Sequence, residues 1–133
     1  MGYNKRNLKI STWNINGYKC KGINKFLQPE FIDKFIDHDI FCVQETHCDL
    51  EEALNIPNFS RPVHLIRKRL KNTGKRSGGL SIFVRDEIRP GVKFLEHQTS
   101  DYIWLQLDRN FFGLRENIYL CFVYNPQRIH PLV

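Results

Sequence analysis

The chain has 133 residues, of which 41% are apolar and 13% aromatic, and its formal net charge is +6. This composition excludes a disordered chain, and the length suffices for one domain with a buried core. No apolar run approaches the roughly 20 residues that cross a bilayer. A polar segment follows the basic start at Lys5 and Arg6, which argues against a secretory signal peptide. We therefore expect an intracellular protein, nuclear or cytoplasmic, that is neither secreted nor membrane-bound.

The chain has four cysteines without any C-x-x-C spacing: Cys20, Cys42, Cys48 and Cys121. Three of them lie in or beside apolar runs. Small, reduced core residues are therefore predicted, which agrees weakly with an intracellular protein.

Taken in chain order, the first predicted element is a strand over Leu8–Trp13. Apolar residues at three- and four-residue steps then predict a helical face, formed by Ile23, Phe26, Leu27, Phe31, Ile32, Phe35 and Ile36. Pro29 fits the first turn of the main helix, which is predicted to run to about Asp37. "DIFCVQET" predicts a buried strand and "DLEEALNI" a short helix with Asp49 as its N-cap. "PVHLI", "GLSIFV", "YIWLQL" and "NIYLCFVY" predict further strands.

Two of these strands are apolar on both faces. In "NIYLCFVY", Ile118, Leu120 and Phe122 face one way, whereas Tyr119, Cys121 and Val123 face the other. "DIFCV" has the same pattern. Such strands are predicted to lie in a sheet that is packed against other elements on both faces. Only one long and one short helix are predicted to pack there.

Polar residues follow several of the apolar strands. Asn14 and Asn16 follow the first, Glu45 follows "IFCVQ", and Tyr124 begins a Tyr-Asn-Pro turn. Each alone is ordinary, because amides satisfy loop backbone and charged residues gather where strands end. A carboxylate at the end of a buried strand is also well placed to hold a cation.

Four segments in this order, "KISTWNING", "DIFCVQETH", "SGGLSIFV" and "IYLCFVYNPQ", each join an apolar strand to a polar tip. The pattern resembles the endonuclease/exonuclease/phosphatase superfamily, and within it the apurinic-like endonuclease domains of non-LTR (LINE-type) retrotransposons. The resemblance covers roughly Leu8 to Gln127. W-N-x-N-G and Q-E-T-H are specific as a pair, whereas the SGG and Y-x-P pieces are individually weak.

The resemblance implies an α/β (α+β) sandwich, with two sheets between outer helices, and a Mg²⁺-dependent phosphodiesterase that acts on DNA. It assigns Glu45 as the ligand of Mg²⁺, with Mn²⁺ as the alternative ion, and Asn16 as a support of the metal or its waters. Asn14 would orient the catalytic cluster, and Tyr124 would contact the scissile phosphate. Many members carry Asp where Asn16 stands, so metal binding here is expected to be weak and to depend on Glu45.

The resemblance also implies that catalytic segments are absent. The family continues with a G-D-x-N strand and ends with an S-D-H segment, and neither motif occurs in these residues. Residues 1–133 are therefore interpreted as the N-terminal half of the domain, truncated to one mixed sheet with flanking helices and inactive alone. The inner face of that sheet is expected to be bare, or covered by a second copy or by a companion chain.

One stretch predicts a long basic loop. Its six cations are Arg67, Lys68, Arg69, Lys71, Lys75 and Arg76. Two interpretations explain these cations equally well: a solvated loop, or a loop that contacts the phosphates of DNA or another nucleic acid. The resemblance favours the second interpretation.

Two alternatives to a nuclease remain open. The first is a non-catalytic nucleic-acid-binding module. The second is half of a phosphatase of the same superfamily that acts on inositol phosphates, or of a related phosphodiesterase. The net charge of +6 and the basic loop favour nucleic acid modestly.

Overall fold

The computed structural model describes residues 7–48, 54–65, 78–95 and 101–124. In chain order its elements are β1 (Ile10–Asn14), β2 (Lys19–Cys20), β3 (Ile23–Asn24), α1 (Pro29–Ile32), β4 (Ile40–Gln44), β5 (Val63–Leu65), β6 (Leu80–Val84), β7 (Val92–Phe94), β8 (Tyr102–Leu107), α2 (Arg109–Phe112) and β9 (Ile118–Val123). Short 3₁₀ turns cover Lys25–Leu27 and Asp86–Gly91. The predicted strands around β1, β4, β5, β6, β8 and β9 are confirmed.

The strands form two main sheets and a small hairpin. The first sheet has the order β1-β4-β6-β5, in which β1 and β4 are parallel and the other neighbours antiparallel. The second sheet is antiparallel, with the order β7-β8-β9, and among the described strands β2 pairs with β3 alone. The α/β class is confirmed, but the expectation of one mixed sheet is wrong, because this chain supplies two.

The two sheets pack face to face around one apolar core. The first sheet contributes Ile40, Cys42, Leu80, Ile82 and Val84, and the second contributes Ile103, Leu105, Leu107 and Phe122. The prediction of a bare inner face is therefore wrong. Strands β8 and β9 return over β4 and β6, so the chain buries that face with its own residues.

The other face of the first sheet packs against loops and α1. Phe41 stacks on Phe35 with 4.4 Å between ring centroids and on Phe83 with 4.9 Å. Phe26 stacks on the far side of Phe83 at 5.8 Å. Offset aromatic stacks add about 0.5–1.5 kcal/mol each beyond area burial. Strand β4 is buried on both faces, as its sequence predicts.

The predicted main helix is much shorter than expected. Pro29 does occupy the first turn, but α1 ends at Ile32. Beyond it, the backbone N–H groups of Lys34, Phe35 and His38 donate to the carbonyl three residues earlier, which gives tight turns instead of an α-helix. The face that the spacing predicted is split. Phe26 and Phe35 are buried, whereas Ile23, Leu27 and Ile36 are exposed.

Strand β9 is covered on one side only in the described part of the chain. Phe122 is buried against the first sheet and Leu120 packs on the same core. On the opposite face Tyr119 is 55% exposed and Val123 is 60% exposed, and Trp104 of the neighbouring β8 is 38% exposed. The expectation that this strand is covered on both sides is therefore not met among the described residues.

Some predictions fall outside the described residues. They include most of the basic loop, Arg67–Arg76, and the N-cap at Asp49 of the short helix. The predicted elements did not include β2, β3, β7 and α2. Helix α2 does have a clear local signal, because Asp108 caps it through its side chain and Gly113 ends it at a φ of 68°.

A buried carboxylate fixes the start of the first sheet. Asp39 is fully buried, and its Oδ2 accepts a hydrogen bond from the backbone N–H of Lys9 at 2.8 Å. Its Oδ1 lies 3.6 Å from Nε of Arg85, which follows β6. The same guanidinium donates to the carbonyl oxygens of Ile36 and His38. One paired charge therefore joins the beginnings of β1 and β4 to the end of β6.

None of the helices in the described ranges is long and apolar enough to cross a membrane. None of the four cysteines, which all lie in the described ranges, forms a disulfide; Cys42 and Cys48 are buried, Cys121 is partly buried and Cys20 is exposed. The prediction of reduced core cysteines is confirmed for the two buried ones.

Because it lies between the two sheets, Cys42 should react only after unfolding. Burial raises the pKa of its thiol to about 12, so only about 10⁻⁴ of it is ionised at pH 8. We expect iodoacetamide at pH 8 to label Cys20 in the native protein and Cys42 only in denaturant, as followed by peptide mass spectrometry. A Cys20→Ser variant gives the background. Native labelling of Cys42 at the rate of Cys20 would contradict the packed two-sheet core.

Candidate functional site at the rim of the first sheet

The carboxyl ends of β1 and β4 lie side by side and carry Asn14, Asn16 and Glu45. We call this edge of the first sheet, together with Tyr124, the rim. The parallel register pairs Asn14 with Gln44. It continues into the loops, where the N–H of Ile15 donates to the carbonyl of Gln44 at 3.0 Å and that of Gly17 to the carbonyl of Glu45 at 2.6 Å. Asn16 is thereby held beside Glu45, because the residues on either side of it are bonded to the β4 end.

The second sheet delivers the remaining predicted residue. The hydroxyl of Tyr124 donates to Oε1 of Glu45 at 2.9 Å, although 79 residues separate the two in the chain. Next to this bond, Nε2 of Gln44 donates to the carbonyl of Val123 at 3.2 Å. The Tyr124 side chain is buried in the inner core, whereas Glu45 is half-buried. The bond from Tyr124 thus orients the only carboxylate among the four predicted residues, and the bond from Gln44 joins the end of β4 to the end of β9.

The two amides are arranged locally. Oδ1 of Asn14 accepts a hydrogen bond from the backbone N–H of Asn16 at 3.1 Å, and both side chains are exposed. Asn16 has a φ of 49°, which an amide residue tolerates better than most. Two amides end the first strand for a structural reason, since Asn14 closes the turn that carries Asn16.

The backbone at this rim is unusually strained. Residues in the left-handed region gather on three loops: Asn16, Gly17, Glu45, His47, Gly78 and Gly79. The loops are bonded together, since the N–H of His47 donates to the carbonyl of Gly78 at 3.0 Å. Non-glycine residues such as Glu45 and His47 cost about 1–3 kcal/mol each in this region, and such strain clusters at functional sites.

Thr46 lies beneath the rim. It is fully buried, and in the described part of the chain its Oγ1 has no hydrogen-bond partner. A Cβ at position 79 would lie 2.4 Å from that oxygen, so only glycine fits there. The lack of a side chain at Gly79 thus leaves room for the hydroxyl of Thr46, the residue that follows Glu45.

The donor set fits a hard divalent cation with few protein ligands. Among the described residues there is no group of three or more His, Cys, Asp or Glu side chains, so a site fully enclosed by such ligands is not formed there. Mg²⁺ commonly keeps several waters and uses one or two carboxylates. Tyr124 bonds one oxygen of Glu45, and no described residue bonds the other, Oε2. That oxygen and the amide oxygen of Asn16 are the groups suited to such an ion.

The comparison with known families decides the assignment of the fold. The sequence profile of the Endonuclease/Exonuclease/phosphatase family matches residues 11–128, which includes all four rim residues. The chain belongs to this family. Its α/β sandwich and its position among hydrolases, as a nuclease or a phosphatase, follow from that membership. A search of curated proteins finds no match to this chain.

The sequence identified the polar residues at the strand ends but not the residues that pack beside them. Thr46, Gly17 and Gly79 were not predicted as parts of the site. The signal for the glycines was present, since "NING" and "SGG" place them next to the rim. Nothing in the local sequence predicts that Thr46 is buried beside Gly79, because this depends on a contact between the end of β4 and the start of β6.

Gly79→Ala should lower the free energy of unfolding by about 2–5 kcal/mol, because a φ of 97° and the contact with Thr46 both oppose a Cβ. Thr46→Ala should cost less than about 1 kcal/mol, since the hydroxyl makes no described hydrogen bond. The double variant should recover about 1–3 kcal/mol relative to the sum of the single variants, as measured by urea denaturation.

Gly22→Ala is the matched control. Gly22 has a φ of 78°, but a Cβ at this position would have nothing within 4 Å, so backbone strain acts there without a clash. We expect a loss of about 1–2 kcal/mol and additivity with Thr46→Ala. Additivity of Gly79→Ala with Thr46→Ala would contradict the contact between these residues.

Proposed function

We propose that the rim forms the metal- and phosphate-binding part of a Mg²⁺-dependent phosphodiesterase that acts on DNA, of the type found in LINE retrotransposon endonuclease domains. The observation that carries the proposal is the hydrogen bond from Tyr124 to Glu45, which joins the Q-E-T-H loop to the second sheet. The backbone of the W-N-x-N-G loop is in turn bonded to that of Gln44 and Glu45. The net charge of +6 supports a polyanionic substrate. A nucleic-acid substrate also favours an intracellular site of action.

Each rim residue has a chemical role in this proposal. Glu45 would hold the cation through its carboxylate, which the Tyr124 hydroxyl orients by donating to Oε1. The amide of Asn16 would support the cation or its waters, and Asn14 accepts from the N–H of Asn16 and so holds that loop in place. Bound Mg²⁺ would supply charge that polarises a phosphate oxygen. Tyr124 is buried, and its hydroxyl, which lies 2.9 Å from Glu45, is the group that would contact the scissile phosphate.

Metal binding can be tested without activity. Mn²⁺ titration followed by electron paramagnetic resonance should give weak binding that is lost in Glu45→Gln, a change that keeps the side-chain shape. Asn16→Asp adds a second carboxylate and should tighten binding about tenfold, equivalent to about 1.4 kcal/mol.

Asn117→Asp is the charge control for this experiment. Asn117 precedes β9, whereas Tyr124 follows it, so the two ends of this strand are about 20 Å apart. Its Oδ1 accepts from the N–H of Arg109, which an aspartate also does. This variant should bind Mn²⁺ like the parent chain. Equal tightening in both variants, or retained binding in Glu45→Gln, would contradict a metal site at Glu45.

Catalysis by these 133 residues alone is not expected. A G-D-x-N and an S-D-H motif are absent from them, and with them the residues that would activate water. The chain with Mg²⁺ should therefore nick supercoiled or abasic DNA no faster than buffer, as measured by gel electrophoresis. Mg²⁺-dependent nicking that Glu45→Ala abolishes would overturn the inactivity and leave the metal site intact.

The basic loop supplies a test of the nucleic-acid partner. Arg67, Lys68, Arg69 and Lys71 changed together to Ser should flatten the log–log salt dependence of duplex DNA binding by up to ~3–4 units, because each phosphate contact contributes about 0.9. Fluorescence anisotropy between about 50 and 200 mM salt measures it.

The control for the loop removes exposed cations on other elements. Lys34, Lys93 and Arg115 are exposed, and changing them to Ser also lowers the net charge. The slope should then change little. Equal flattening in both variants would mean that general charge attracts the DNA, whereas an unchanged slope in the loop variant would mean that the loop is solvated.

A further inference from the structure

The hairpin formed by β2 and β3 lies beside the rim and is part of neither sheet. Its residues 19–23 are all exposed. The register pairs Lys19 with Asn24 and Cys20 with Ile23, and a two-residue turn, Lys21-Gly22, joins the strands. The hairpin begins three residues after Asn16.

The base of the hairpin is fixed to the rim. The N–H of Tyr18 donates to the carbonyl of Thr46 at 2.8 Å, and the N–H of Lys25 donates to the carbonyl of Tyr18 at 2.7 Å. Nζ of Lys25 donates to the carbonyl of Ile15 at 2.5 Å. The hairpin is thus an arm with a defined position relative to Glu45.

The turn at its tip carries a residue that the backbone does not favour. Lys21 has a φ of 52° and Gly22 a φ of 78°. Two positive φ values in a two-residue hairpin correspond to a type I′ turn, for which Asn-Gly is the preferred pair. A lysine at the first position carries a steric cost that asparagine largely avoids. The sequence therefore places a cation at the tip against the local preference.

The cations of the arm are available for a partner. In the described ranges, no carboxylate is paired with Lys19 or Lys21. Lys9, by contrast, is paired with Asp37 at 2.7 Å. Nζ of Lys19 lies 5.3 Å from the centroid of the Tyr18 ring, and Lys25 uses one of its three N–H groups on Ile15.

An exposed apolar side chain, Ile23, lies among the three cations Lys19, Lys21 and Lys25. Ile23 is 53% exposed and lies opposite the exposed Cys20. Proteins that bind the DNA minor groove frequently combine cationic side chains with an apolar side chain, such as isoleucine, that inserts between base steps. A free phosphate or a single strand would give Ile23 no groove wall to pack on.

We propose that the hairpin Lys19–Asn24 is a DNA-binding arm, in which Lys19, Lys21 and Lys25 contact backbone phosphates of a duplex and Ile23 packs against its groove. The inference rests on the proposed function, since the arm holds the duplex whose phosphate lies at Glu45. It adds Lys19, Lys21, Ile23 and Lys25 to the DNA contacts proposed for the basic loop Arg67–Arg76.

Lys21→Asn separates the charge from the fold. Asparagine suits the type I′ turn better than lysine, so the melting temperature should stay equal or rise. Binding to a duplex of about 20 base pairs in EDTA should nevertheless weaken about two- to fivefold, and the log–log salt slope should fall by about 0.9. Lys21→Arg should keep both values, and Lys34→Asn, which removes the same charge elsewhere, should leave the slope unchanged.

Ile23→Thr tests the apolar contact, because it keeps the β-branched shape that suits a strand. The affinity for duplex should fall about threefold or more with an unchanged salt slope, and the affinity for a single strand of the same length should stay the same. Equal losses on both nucleic acids would overturn the groove contact.

The outcomes distinguish this inference from the proposed function. If the parent chain binds duplex and the basic-loop variant flattens the slope while Lys21→Asn does not, only the hairpin proposal is wrong. If the parent chain binds no duplex, the DNA substrate and the hairpin proposal both fall. If Lys21→Asn lowers the melting temperature and leaves binding unchanged, the lysine serves the turn rather than DNA.

Discussion

The parallel pairing of β1 with β4 is the constraint on which the rest of the structure depends. The buried Asp39 fixes its start by accepting from the N–H of Lys9 and lying beside Arg85. From there the register runs through Asn14 and Gln44 and continues into the loops. A slip of one residue would reverse which side chains face the core. The amides, the proposed metal-binding carboxylate and the base of the hairpin all take their positions from this one pairing.

The second sheet converts that edge into a site. By covering the inner face of the first sheet it buries Cys42 and Tyr124 in one core, and the end of β9 then reaches Glu45 and Gln44. The carboxylate of Glu45 is thus oriented by the hydroxyl of Tyr124, whose ring is buried in the apolar interior. Interiors are close-packed and deform little, so the position of that hydroxyl is well defined.

Several departures from local backbone and side-chain preference lie at or near the rim. The left-handed residues Glu45 and His47 lie at the rim, and so does the buried Oγ1 of Thr46 beside Gly79. The hairpin shows the same tendency at Lys21, where a charge replaces the residue that the turn prefers. In each place the local preference of the chain is overridden beside the residues to which we assign chemistry or binding, which is where such exceptions are expected.

The sequence by itself determined most strands of both sheets, the polar residues at their ends and the family, because alternation and short motifs are local properties of the chain. Tertiary structure decided what covers each strand. Apolar residues on both faces of β4 show that each face is buried, but they do not specify which elements pack there. On one face these elements are β8 and β9. It also decided that the helix after Pro29 ends at Ile32 and that Tyr124 meets Glu45 across 79 residues. Such contacts depend on how distant segments pack, which no periodicity within a segment can specify.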